Sequence, residues 1–271
     1  MSYQSIEISF IGPVAKLLLN RPDKLNAINK TMLDEISHAM DQLEADDNVY
    51  AIVLGGKGRA FSTGFDLKAG MEARRTTERQ WRDSLEYDLE VIMRFWHCPK
   101  PTVAAVQGHC LAAGFELALA CDMTVCGESA LFGEPELRFG SSIVALLLPW
   151  YTNPKRAKRL LLTGQHRIGS SEALSLGIVN QVVDDSELKT RSVSLAREAA
   201  LMDPDSLRRT KRAINKSYEI MGLHRALETG IETSIEIETL ETAVRRDFNR
   251  ALRDEGLKAA LAWREARLDK N

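Results

Sequence analysis

The chain has 271 residues, with 36 Lys and Arg against 38 Asp and Glu for a formal net charge of −2, and 44% of it is hydrophobic. That is enough length and apolar content to bury a sizeable core, which excludes disordered, collagen-like and disulfide-scaffold classes. The near-neutral balance leaves no broad electrostatic footprint for nucleic acid or an anionic membrane, so a polyanionic ligand has to be held locally.

In chain order, Ile6, Ile8 and Phe10, then Val14 and Leu17 to Leu19, flank Gly12-Pro13 and predict two strands around a turn. After Asn26 the period changes. Met32, Leu33, Ile36, Met40 and Leu43 share a helical face, with Asn29 as N-cap and Asp46-Asp47 at the end. A buried strand is predicted over Tyr50 to Leu54, then the glycine-rich turn GGKGRAFSTG. A long polar helix runs from about Thr76 to Trp96 and stops at Cys98-Pro99-Lys100-Pro101, because proline cannot continue a helix.

Thr102 to Val106 reads as a strand, Leu111 to Ala120 as an apolar segment that becomes helical, and Thr124 to Cys126 as a short strand. Glu134-Pro135-Glu136 falls in a predicted loop. Pro154 to Leu162 is a helix, Ser170-Ser171-Glu172 opens another that Gly177 closes, and Ile178 to Val183 is a strand. From Leu188 the pattern is helical, with Leu207, Ala213, Ile214, Ile231, Ile235, Leu240, Leu252, Leu257 and Leu261 as expected buried positions. Pro204 sits just inside a new helix. This is α/β alternation with crossover helices, followed by a helical C-terminal part.

The N-terminal MSYQSIEISF lacks the basic start and apolar stretch of a signal peptide, so a cytoplasmic location is expected. The apolar run from Ile143 to Leu148, even extended to Trp150, is far shorter than the roughly 20 residues of a bilayer span. Cys98, Cys110, Cys121 and Cys126 have neither CxxC pairing nor zinc-module spacing and read as buried, reduced thiols.

Four features bear on chemistry. Gly55, Gly56, Gly58 and Gly64 superficially resemble a dinucleotide loop, but Phe61 stands where GxGxxG needs its third glycine, and no P-loop pattern is present. Ala112-Ala113-Gly114 puts small residues at a helix N-terminus, where free N–H groups can hold an oxyanion; close helix packing asks for small residues equally. Glu116 lies in an apolar run and must pair, for example with Arg138, shift its pKa, or face a cavity. Glu134 and Glu136 on a loop would ordinarily be solvated, yet Glu116 and Glu136 taken together suit acid/base work. AFSTG lacks the first glycine of GxSxG, which argues against a serine hydrolase. The basic runs Lys155 to Arg159 and Arg208 to Arg212 read as solvated helix faces, so no nucleic-acid partner is expected.

With those residues in view, the sequence resembles the crotonase superfamily, the enoyl-CoA hydratase/isomerase family, over almost its whole length. The resemblance lies in LLLNRPDKLNAIN, AFSTGFDL, KPTVAAVQGHCLAAGFELALACDMTV, FGEPELRFG, LLLTGQHRIGSSEALSLGIVNQVV and LRRTKRAIN, in that order. It implies an α/β fold, a spiral of ββα units with a C-terminal helical trimerisation region: a catalytic core over residues 1–202 and an oligomerisation region over residues 203–271. Homotrimers or homohexamers are expected.

The resemblance also implies an acyl-CoA thioester substrate and no metal or separate cofactor, coenzyme A being part of the substrate. Phe65 and Ala113 would supply backbone N–H groups to the thioester oxygen. Glu116 would activate water for attack at C3 of a 2-enoyl thioester, and Glu136 would handle the proton at C2. Lys24, Ala27, Ser62, Asp66, Leu67 and Lys68 occupy positions that border the CoA nucleotide or pantetheine in relatives. The alternatives are another enolate reaction, such as isomerisation, decarboxylation or thioester hydrolysis, or a non-catalytic acyl-CoA-binding protein. Ser141 to Trp150 departs from the proline- and glycine-rich stretch typical of hydratases, which implies a reshaped acyl site.

Overall fold

The computed structural model describes residues 3–266; Met1, Ser2 and 267–271, which the two expected ranges include, lie outside the described residues. The first two strands, β1 (Ile6–Ile11) and β2 (Val14–Leu19), pair antiparallel about Gly12, whose φ of 60° suits the turn. Helix α1 (Lys30–Ala45) follows, capped by the Asn29 side chain, which accepts the Met32 N–H at 3.0 Å. Then come β3 (Ala51–Gly56), the short α2 (Leu67–Glu72), α3 (Glu78–His97) and β4 (Thr102–Val106). The long polar helix expected from Thr76 begins two residues later, behind a capping box of Thr77 and Gln80.

From β4 onward each unit contributes one strand to each of two sheets. β5 (His109–Leu111) precedes α4 (Ala113–Ala120); β6 (Met123–Gly127) and β7 (Leu131–Gly133) precede α5 (Glu136–Phe139). α6 (Leu148–Tyr151), α7 (Pro154–Leu162), β8 (Ile168–Gly169), α8 (Ser170–Ser175), β9 (Gln181–Val183) and α9 (Leu188–Ala200) complete the core. The larger sheet has the order β1-β2-β3-β4-β6-β9, parallel from β2 onward, and the smaller β5-β7-β8. β5 and β7 pair in parallel as β4 and β6 do, so successive units stack as a spiral.

Burial on both faces explains the unbroken apolar runs in β3 and β4. On one face Val14, Val53, Val103 and Val125 pack against Leu188 and Ala196 of α9. On the other, Leu17, Ile52, Leu54 and Ala104 join Ile36, Met40, Phe95 and Leu117 in the main core.

The chain ends in α10 (Pro204–Ile220), α11 (Leu223–Thr239), α12 (Ala243–Glu255) and α13 (Leu257–Glu265). Asp203 caps α10 by accepting the Ser206 N–H at 2.9 Å, with Pro204 in the first turn. Of the expected buried positions here, Ile231 and Ile235 are buried, Leu207, Leu252 and Leu261 are half-buried, and Ala213, Ile214, Leu240 and Leu257 are exposed. Helical spacing gives the apolar stripe but not the element that covers it. Lys211, expected on a solvated face, is buried and donates to Asp122 Oδ2 at 2.6 Å and to the Lys100 carbonyl at 3.1 Å. The four cysteines are buried and free.

Candidate active site

The loop after β3 is set by close backbone approach. A Cβ at Gly56 would lie 2.4 Å from the Ala60 carbonyl, so only glycine fits there. Asn26, buried at a φ of 55°, donates to the carbonyls of Lys57, Ala60 and Phe61 and accepts the Arg21 N–H. Sequence reading passed over Asn26, although an Asn in a turn tolerates the left-handed region. Ser62, expected to border the CoA, is fully buried. Its hydroxyl donates to the Asn26 carbonyl at 2.8 Å and accepts the Gly64 N–H at 3.2 Å, so its side chain shapes the loop from within.

Gly64 and Ala112 bring two strands of backbone together. Gly64 has a φ of 85°, and a Cβ there would lie 2.4 Å from the Ala112 Cβ and 3.2 Å from the Ala113 nitrogen. Ala112 itself has φ 55° and ψ −137°, a costly conformation for a residue with a Cβ. Its N–H donates to the Gly133 carbonyl at 2.8 Å, which ties the start of α4 to the end of β7.

Ile28 N–H donates to Gly64 O and Asp66 N–H to Ile28 O, each at 2.8 Å, which turns the Phe65 N–H away from that bridge. Ala113 is the first residue of α4, where an N–H has no intrahelical acceptor. Among the described residues neither N–H donates a hydrogen bond. Two free donors on neighbouring segments are the arrangement that can hold an oxyanion.

Three carboxylates, not two, meet one helical turn further on. Ligand oxygens of Glu116, Glu134 and Glu136 all lie within 4.8 Å of one another, a spacing that a cation could also use. All three residues are buried, and among the described residues the Oε2 atom of each receives no N–H or hydroxyl. Among the described residues Glu116 pairs with no base; Oε1 accepts the Ala145 N–H at 2.7 Å. Arg138, the partner considered from sequence, turns to His166 and Glu265 instead. Glu134, expected from its loop position to be solvated, directly follows β7. Its N–H donates to Gln165 O at 2.9 Å, and Glu136 opens α5.

Burial and mutual repulsion govern the charges. Burial, then the Glu136 charge, holds Glu116 well above the usual carboxylate range, against the hydrogen bonds from Ala145 and Val144. Burial also raises Glu134 strongly, with the neighbouring Glu136 and Glu116 adding to it. Burial pushes Glu136 up to about 7, while its own backbone N–H and the neighbouring Glu134 pull it back. Asp88 on α3 is raised to about 7 by burial. A buried acid near 7 can exchange its proton at neutral pH.

The remaining expected positions lie outward along the loop. Lys24 and Lys68 are exposed; Lys68 lies 3.9 Å from Glu72. Ala27 and Leu67 are half-buried. Asp66 caps α2 by accepting the Ala69 N–H at 3.2 Å and pairs with Arg21 at 2.9 Å. An apolar cavity of about 290 Å³ lies at the other end of α4, lined by Trp96, Cys121, Trp150 and Tyr151 among others, away from the three acids.

Comparison with known proteins relates the chain to a family. A family model described as enoyl-CoA hydratase/isomerase matches residues 10–253. A putative enoyl-CoA hydratase of Thermus thermophilus is 40% identical over 209 residues, 75% of this chain and 81% of that one. A short-chain-enoyl-CoA hydratase of Clostridium acetobutylicum is 31% identical over 229 residues, 81% of this chain and 84% of that one. Among solved structures, an enoyl-CoA hydratase/isomerase from Xanthobacter autotrophicus Py2 superposes with a TM-score of 0.95 at 47% identity, covering 98% of this chain and 99% of that one. The chain therefore belongs to the enoyl-CoA hydratase/isomerase family.

Proposed function

We propose that this protein is an enoyl-CoA hydratase that adds water across the 2,3 double bond of a 2-enoyl-CoA thioester to give a 3-hydroxyacyl-CoA. The observation that carries this reading is that two buried acids meet, Glu116 one helical turn along α4 from the free Ala113 N–H and Glu136 beside it, with the free Phe65 N–H on the loop that Gly64 packs against Ala112. Addition at C3 drives negative charge onto the thioester oxygen, and two backbone donors aimed there stabilise the enolate without reorganising. In the reactive form of the pair Glu116 is the carboxylate, favoured by the Ala145 and Val144 N–H groups against the burial that raises it, and it takes a proton from water while the water oxygen bonds to C3. Glu136, protonated, gives its proton to C2, and the enolate returns to a thioester. Proton transfer from Glu116 back to Glu136 resets the site, and their proximity favours it.

The reading extends to the periphery. Lys24, Ala27, Asp66, Leu67 and Lys68 border the CoA moiety, with Ser62 shaping their loop from behind, and no metal or redox cofactor takes part. We read residues 1–202 as the catalytic core and 203–271 as the assembly region of a homotrimer or homohexamer. Ile214, Ile220, Met221 and Leu240, exposed on the C-terminal helices, support such an assembly. A light-scattering mass equal to one chain would contradict it. No helix among the described residues is long and apolar enough to cross a membrane.

The test is loss of the conjugated enoyl-thioester ultraviolet absorbance over a panel of short, medium, branched and aryl 2-enoyl-CoA substrates. Rapid loss with at least one, abolished in both Glu116→Gln and Glu136→Gln, supports hydration. An isomerase tolerates loss of one acid, and a binder shows no loss with any substrate.

A further inference from the structure

Glu134 has no role in the two-acid scheme, yet it is buried to 1% exposure and aimed at the same point. Its position is built. Gly133 before it has no room for a side chain, because a Cβ there would lie 2.2 Å from the Gln165 carbonyl and 2.3 Å from the His166 Cα. The Glu134 N–H is anchored on the same carbonyl at 2.9 Å. Pro135, with φ near −83°, then fixes the step to Glu136. The chain is thereby forced to present two carboxyls to one spot.

Three carboxylates this close in a dry site cannot all be ionised, and two facing carboxyl oxygens hold together only with a proton between them. We infer that Glu134 is a positioning residue whose carboxyl keeps its proton and donates it in a hydrogen bond to Glu136, so that the carboxylate left when Glu136 releases its proton is stabilised. This rests on the hydratase reading for its catalytic meaning, though not for the hydrogen bond itself. The shift directions agree: the contact raises Glu134 and lowers Glu136. The other groups facing this pair are Glu116 on α4, Asp88 on α3 beside Glu116, and Cys110 on β5 beside Glu134. Arg138 on α5 is engaged by His166 and Glu265. Without the Glu134 donor, burial acts on Glu136 against its own backbone N–H alone; it binds its proton more tightly and becomes a weaker acid toward C2.

The experiment is a titration of ¹³Cδ-glutamate-labelled protein by NMR, with Glu136 assigned through Glu136→Gln, beside pH profiles of kcat/KM for the wild type, Glu134→Leu and Glu134→Gln. Leucine cannot donate; glutamine still can. In E134L, Glu136 titrates higher by about one pH unit or more, the size of a lost hydrogen bond to a carboxylate. The alkaline limb of kcat/KM moves with it and kcat falls. In E134Q both stay within about 0.3 unit of wild type.

Titration of Glu136 at one pH in all three proteins would overturn the inference, and so would an equal displacement in both variants. If E134L does not fold, Glu134→Met, which likewise cannot donate, takes its place: a Glu136 displaced upward against an unmoved one in E134Q supports the inference, and an unmoved Glu136 in both refutes it. The NMR readout needs no turnover. A shifted titration in a chain that hydrates no substrate keeps this inference and removes the hydratase reading, whereas an active hydratase whose Glu136 ignores Glu134 does the reverse.

Discussion

The main-chain N–H of Ala145 donates to Oε1 of Glu116 at 2.7 Å, so the segment expected to reshape the acyl site holds one of the two proposed catalytic acids. That segment is itself fixed from the C-terminal helices. Glu238 on α11 accepts the Ser142 N–H at 2.9 Å and its hydroxyl at 3.2 Å, and Ser234 donates to the Ile143 carbonyl at 3.1 Å. Residues 141–147 are therefore a backbone cradle for Glu116, whatever acyl group they border.

Glu116→Gln and Glu136→Gln should each lower kcat for hydration by about 100- to 10,000-fold, the usual worth of a positioned acid or base. Glutamine retains an acceptor for Ala145, so E116Q should fold normally and bind acyl-CoA. Steady-state kinetics with equilibrium binding checks both halves.

Gly64→Ala should cost at least about 100-fold in kcat, comparable to losing an oxyanion donor, because the new Cβ would clash with Ala112 and displace both N–H groups. Ala112→Gly relieves the positive φ, so activity should be retained with a melting temperature equal to or above wild type. A melting temperature in A112G lower by several degrees would count against strain at that residue.

Glu136 also couples stability to pH. Its folded pKa of about 7 lies above the ordinary 4.5, so the folded state binds the proton more tightly. The stabilisation is full below about 4.5 and is lost as pH rises through about 7. Urea midpoints of the wild type should fall from pH 5 to pH 7.5, and Glu136→Gln should flatten that slope. The same proton is the one given to C2, so kcat/KM should decline on the alkaline side through the same region, with an apparent pKa that belongs to the coupled cluster.

Lys211→Met should destabilise by about 3 kcal/mol, since it leaves Asp122 without its partner in a largely buried site. Adding Asp122→Asn should recover much of that loss, measured by chemical denaturation. The interaction energy of the double-mutant cycle would then be clearly non-zero.

Much was legible from local pattern. The alternation about Gly12, the face of Met32, Ile36 and Met40 behind Asn29, the proline stop after Trp96 and the cap at Asp203 all depend on interactions within a few residues, and each matches an element. The lone Glu116 in an apolar run announced a special site because burying a carboxylate is costly wherever it falls. Strands β5, β7 and β8, of two or three residues, carry no period and exist through pairing with one another and, for β5, with Ser62.

What the tertiary structure alone decided is which groups meet. Glu134 and Glu136 are two residues apart on a predicted loop, and only Glu136 was expected at the site; packing of Gly133 against Gln165 and His166 turns both inward, toward Glu116, 18 residues upstream of Glu134. The close approach of Gly64 to Ala113, the Ala145 hold on Glu116 and the burial of Lys211 on Asp122 are likewise contacts between distant segments. Propensity and period report how a residue interacts with its neighbours along the chain. The free energy of a buried charge depends on the groups that folding places around it, and so the chemistry of the acids was settled in three dimensions.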